Sequence, residues 1–123
     1  MPILEISIVV GDDEAMTTDL PRRLADAAAD VFGAAAGTVW VRLQRIAAAD
    51  YAENGTAAAD TPRPAWVRVL QATPAEGERR AVEALALAHA LAPLLARPAE
   101  RIHLIYEPPA AGRVAFGGRL RGG

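Results

Sequence analysis

The chain has 123 residues, 52% of them apolar and 23% charged, with a formal net charge of −2. That balance describes a globular domain with enough chain to bury a core, and excludes a disordered segment or a strongly basic nucleic-acid groove. With no cysteine, no lysine and only two histidines, His89 and His103, disulfide, thiolate and Schiff-base lysine chemistry are excluded, and little remains for a histidine-built metal centre.

At the start of the chain, Met1–Glu5 lacks a basic stretch, and acids follow at Asp12, Asp13 and Glu14, so no signal segment is read. No apolar run reaches membrane-spanning length, since the longest, residues 84–95, contains Pro93. A cytoplasmic protein without membrane or nucleic-acid partners is expected. Pro2–Val10 is a β-branched run of strand length. Thr17, Thr18 and Asp19 are helix-capping types, Pro21 suits a first helical turn, and Leu20, Leu24, Ala27, Ala28, Val31 and Ala35 keep helical spacing. Gly33 and Gly37 supply stop signals. Val39–Leu43 reads as a second strand, and Asn54-Gly55 as a turn.

Residues 57–63 read as a linker, after which the plan repeats. Pro64–Leu70 is a strand, and Thr73-Pro74 predicts a helix start. Val82, Leu85, Ala86 and His89 share one helical face, expected to be inner or rim, and Pro93 and Pro98 end or bend the last turn. Ile102–Tyr106 is the last long strand, and it aligns without gaps with Val39–Leu43 through Gly117-Gly118 and Asn54-Gly55. The repeat unit is β-α-β, spanning about residues 1–57 and 64–123 of one domain, residues 1–123.

Two such units predict an α+β fold: a four-stranded mixed sheet with two helices on one face. Val39, Val41 and Leu43, with Ile102, Leu104 and Tyr106, suit packing under helices. The opposite sheet face carries Trp40, Arg42 and Gln44, then His103, Ile105 and Glu107, with Ile3, Glu5 and Ser7 on the first strand. No third layer of sequence remains to cover this mixed face, so other copies of the chain are expected to cover it.

Pro2 directly after Met1, the tandem β-α-β units and the strand-then-turn ending at Phe116-Gly117-Gly118 together resemble the tautomerase superfamily, the 4-oxalocrotonate tautomerase and macrophage migration inhibitory factor group. The resemblance covers nearly the whole chain. It implies a fused two-unit member that assembles as a trimer, its sheets lining a central barrel. It also implies catalysis by the N-terminal proline, here Pro2 after removal of Met1, with no cofactor and a small-molecule substrate.

Elementary chemistry supports Pro2. A terminal amine titrates near neutrality, an apolar pocket lowers its pKa further, and a base matched to the working pH transfers protons best. Arg42 offers a planar fork for a carboxylate, or an ion pair with Glu5 or Glu107 instead. His103 serves as a donor to an enolate or as a structural contact. Trp40 serves as a pocket wall or as barrel packing. The pocket aromatic of the resembled family falls on Tyr51 in the alignment, and Phe116 lies two positions beyond its counterpart in the second copy. Glu53 and Arg113 are reserve candidates.

Two departures shape the expected substrate. The arginines of decarboxylating or chloroacrylate-hydrolysing members are absent from Gln71–Pro74, and Arg79 and Arg80 come only later. The acidic loop Gly11–Glu14 would repel a dianion. A mono-acid, a phenylpyruvate-like enol or a neutral carbonyl compound is therefore expected. The leading reading is a keto-enol tautomerase. Its alternatives are a decarboxylase, a hydratase or dehalogenase of the same superfamily, or a non-catalytic oligomeric scaffold.

Overall fold

Alternation places Leu4, Ile6 and Ile8 of the first strand, β1 (Ile3–Val10), on one face, and all three are buried. The computed structural model describes residues 2–56 and 61–122. Helix α1 (Leu20–Phe32) begins with Pro21 in its first turn and buries Leu24 and Ala28. Strand β2 (Trp40–Ala47) then pairs parallel to β1, with Ile3 opposite Trp40. The second unit repeats this with β3 (Ala65–Leu70), α2 (Gly77–Leu95) and β4 (Ile102–Tyr106), with Ala65 opposite Ile102.

The two units join through antiparallel pairing of β1 and β3, Ile6 opposite Val67, giving the order β2-β1-β3-β4. The expected mixed sheet with two helices over it is what the chain forms. One core lies between the sheet and the helices, made by Leu4, Ile6 and Ile8, Val67 and Val69, Leu24, Leu87, Leu91 and Leu95. A short hairpin, β5 (Ala115–Phe116) and β6 (Arg119–Leu120), follows. Its turn, Gly117-Gly118, needs positive φ at both residues (57° and 82°), which glycine adopts without strain.

The repeat is visible in the helix ends. Gly33 and Ala96 occupy matching positions, both left-handed at φ 62° and 54°, and each passes the following amide, Ala34 or Arg97, back to a carbonyl five residues earlier. Alanine is strained there and glycine is not. Ala96→Gly is therefore expected to stabilise the chain, and Gly33→Ala to destabilise it, each by about 1 kcal/mol. Urea unfolding at fixed protein concentration measures both.

The structure corrects three sequence expectations. Helix α2 starts at Gly77, not at Thr73-Pro74. Proline disfavours the α region for the residue before it, and the chain turns into the helix only at Gly77, whose φ is 57°. The face of α2 that meets the core is Leu87, Ala88, Leu91, Ala92 and Leu95, whereas Val82 and Leu85 are exposed, at 62% and 63%. The alanine-leucine run carries two apolar stripes, so periodicity alone does not choose between them. His89 lies with the outer stripe and is exposed. Strand β2 also runs four residues past Leu43, because its pairing with β1 continues to Val10 opposite Ala47. Of the expected linker, residues 57–60 lie outside the described residues. None of the described helices is long and apolar enough to cross a membrane.

Candidate active site

Pro2 is buried at the start of β1, and its carbonyl accepts a hydrogen bond from the Trp40 amide at 3.1 Å. It lines a cavity of about 580 Å³ at that end of the sheet. The first unit supplies Phe32, Ala34 and Thr38, from the end of α1 and the loop to β2. The second supplies Gln71 after β3, and Arg79 and Glu83 from the first two turns of α2. Arg121, after the hairpin, completes the wall.

Local structure explains each placement. The extended segment between β3 and Gly77 keeps Gln71 and Thr73 at the sheet end, and the later helix start puts Arg79 on the first turn of α2. The Arg121 amide bonds the Val114 carbonyl at 2.8 Å, and its carbonyl accepts from Gly112 at 2.7 Å. The hairpin is held against β2 by Phe116, whose ring meets Trp40 edge-on at 5.1 Å and 77°. Gln71 Oε1 is buried without a hydrogen-bond partner among the described residues. A buried acceptor left unpaired in a native structure calls for an explanation, such as a bound donor.

At the opposite end of the sheet, where the repeat would place a second such cavity, a much smaller one of about 90 Å³ lies beside Val9, Tyr51, Pro64 and Arg101. Arg97 stands where the first unit has Ala34, and it is buried. It donates to both carboxylate oxygens of Glu14, at 2.6 and 2.9 Å, and to the carbonyls of Val9, Leu95 and Ala96. This bidentate bond holds the Glu14 carboxyl below the usual carboxylate range. The acidic loop Gly11–Glu14 therefore lies beyond the far end of β1 and does not share the Pro2 cavity.

The other residues expected from sequence are distributed differently. Trp40 and Phe116 meet each other, and the Trp40 indole N–H bonds the Gly37 carbonyl at 3.0 Å. Neither lines the Pro2 cavity. Arg42 lies on the open sheet face, 3.3 Å from Glu5, and shares a groove of about 720 Å³ with Tyr51, Trp66 and Arg68. His103 packs against Trp66 with the rings 4.8 Å apart and tilted by 52°, and burial, then the nearby Arg101, pushes its pKa down. The Tyr51 hydroxyl donates to Glu53 at 2.7 Å, and burial followed by this bond raises its pKa. Glu53 is bonded in turn by Arg101, which lowers its pKa. Within one chain, Arg42, Tyr51 and His103 do not reach Pro2.

Sequence reasoning missed Gln71, Glu83 and Arg121, and counted Arg79 only as an arginine that comes later than Gln71–Pro74. The signal for Arg79 was Pro74 itself, which delays the helix. Arg121 had none, because only the hairpin's return brings it to Pro2.

No family model matches the chain, and no curated protein matches it in sequence. Solved structures do. A native fused 4-OT is 25% identical, with a TM-score of 0.74 over 96% of this chain and 94% of that one. A wild-type fused 4-OT, a symmetric trimer, is 29% identical, with a TM-score of 0.68 over 87% and 85%. The macrophage migration inhibitory factor from Trichinella spiralis shares the fold at 14% identity, with a TM-score of 0.73 over 96% and 98%.

Proposed function

Since the chain belongs to the tautomerase superfamily, in its fused two-unit form, we propose that it is a keto-enol tautomerase that uses the amine of Pro2. Removal of Met1 frees that amine. Pro2 then takes a proton from carbon in one direction and returns it in the other, so no cofactor is required. The observation that carries this reading is the burial of Pro2 beside a cavity that two arginines, Arg79 and Arg121, also line. They suit the carboxylate of a 2-oxo acid or the oxygen of its enolate. Because the acidic loop lies elsewhere, carboxylate substrates fit better than the sequence suggested.

The open sheet face favours assembly. Across its four strands it sets Gln44, Ser7, Trp66 and His103 in one row, and Arg42, Glu5, Arg68 and Ile105 in the next. Apolar and aromatic groups beside ion pairs fit a face buried between copies of this chain. In the proposed trimer, Arg42, Tyr51 and His103 bind substrate only by reaching a Pro2 site from another subunit. Light scattering is expected to give three times the 12.9 kDa chain, and Ile105→Asp to dissociate it. A stable monomer would sink this part of the reading.

The catalytic test compares two forms distinguished by intact mass: one starting at Pro2 and one retaining a residue before it. Ketonisation of phenylpyruvate enol is expected only from the first. Equal rates from both would overturn the proline mechanism.

A further inference from the structure

The second unit departs from the first at one paired position inside the fold. In the first unit, Leu20 of α1 is buried in the apolar core and Leu43 of β2 packs against it, as the Tyr106 ring does in the second. The matching residues in the second unit are Glu83 of α2 and Tyr106 of β4, and the Tyr106 hydroxyl donates to Glu83 Oε1 at 2.8 Å. An acid-phenol pair is a poor substitute for two leucines as packing, because both polar groups must be desolvated. Arg80 lies over the Tyr106 ring at 5.5 Å, but its Nε is committed to the Ala75 carbonyl at 2.7 Å. Among the described residues, Glu83 has no ion-pair partner within 4.0 Å. Burial, then the bond to Glu83, raises the pKa of Tyr106, so the phenol remains a donor across the working range. Glu83 is also a wall of the Pro2 cavity, together with Arg79 and Arg121.

We propose that Glu83, positioned by Tyr106, is a second acid-base group of this cavity, serving the oxygen end of the substrate while Pro2 serves the carbon end. The inference rests on the tautomerase reading. In ketonisation, the enol O–H bond breaks and its proton passes to the Glu83 carboxylate as the C=O bond forms. The enol π pair takes the proton of the Pro2 ammonium at carbon. The products are the ketone, a neutral Pro2 amine and a protonated Glu83, and solvent carries the proton from Glu83 back to Pro2. No oxidant or further reactant is needed. Glu83 would act as a catalytic residue and Tyr106 as a positioning residue.

The test uses the full chain and phenylpyruvate enol. Glu83→Gln is expected to lower kcat at least about tenfold, toward the loss typical of a missing acid-base group, and to remove one limb of the pH-rate profile. Tyr106→Phe is expected to shift that limb with a smaller loss in kcat. The double variant Glu83→Leu with Tyr106→Leu copies the first unit, and is expected to fold normally while losing activity as Glu83→Gln does. If Pro2→Ala is inactive but Glu83→Gln keeps kcat and profile, this inference alone fails. If Pro2→Ala keeps its activity, the Pro2 mechanism on which this inference rests fails first, and if the parent chain starting at Pro2 shows no ketonisation, the tautomerase reading fails. Where turnover is too slow to follow, NMR titration of the ¹⁵N-labelled Pro2 amine decides. Loss of the Glu83 charge is expected to lower the amine pKa, and an unchanged titration overturns the pairing.

Discussion

Pro2→Ala is expected to slow ketonisation of a small enol by about 10²- to 10⁴-fold, the range that a positioned acid-base group contributes. Once Met1 is removed, the variant still ends in an amine, with an ordinary pKa of about 7.7–8.0. The loss therefore measures placement rather than the mere presence of a base. The proline ring fixes the direction of the lone pair, and the hydrogen bond from the Trp40 amide anchors the Pro2 carbonyl. Alanine keeps that carbonyl but frees the amine to rotate. Steady-state kcat and KM, with intact mass to prove the first residue, check the prediction. A fall in kcat at similar KM is expected, and an unchanged kcat would exclude Pro2 from the chemistry.

Arg97→Ala is expected to cost about 3–5 kcal/mol of stability, as when one partner of a buried ion pair is removed. The side chain of Arg97 is 6% exposed, and its removal leaves the Glu14 carboxylate, 24% exposed, with only the Gly11 amide at 3.3 Å, and the Val9 carbonyl without the guanidinium. The double variant Arg97→Met with Glu14→Leu is expected to recover most of the loss, because no uncompensated charge remains. The pair also sets an acid limit. The pKa of Glu14 is lowered in the folded chain, chiefly by the Arg97 hydrogen bonds. Its stabilisation is complete above the unfolded carboxyl pKa of 4.5 and is lost as pH falls through the depressed folded value. Arg97→Ala should flatten stability against pH in that acid window. Urea midpoints at several pH values and one protein concentration measure both effects, and an Arg97→Ala chain as stable as the parent would overturn them.

These two residues mark the two ends of the sheet, and they differ in how legible they were. Pro2 stands out as a candidate in the sequence because position and residue type coincide: a proline after Met1 at the head of an alternating strand. Arg97 was not visible, because a guanidinium after a helix reads as exposed charge. Only the loop after β1, folding back to place Glu14 beside it, makes it a buried plug. The same contrast runs through the candidate site. Arg42 was chosen for its fork and its face, and the face was right. Its place on the open sheet, 3.3 Å from Glu5, keeps it away from Pro2 within the chain. Arg79 comes too late in the sequence to replace the arginines absent from Gln71–Pro74, and the delayed start of α2 at Gly77 brings it to the cavity.

The sequence by itself determined the β-α-β repeat, the strand faces and the mixed sheet. Those follow from local periodicity and from the demand that each apolar stripe be buried once. It also determined Pro2 as the candidate base, through the chemistry of one nitrogen. The tertiary structure decided which stripe of α2 faces inward, which end of the sheet holds the larger cavity, and which polar groups meet there. Those depend on contacts between residues far apart in the chain: β1 against β3, the hairpin against Trp40, and Tyr106 against Glu83. Local pattern cannot encode them, because the same alanine-leucine run, arginine or glutamate serves equally well on a surface until another segment packs against it.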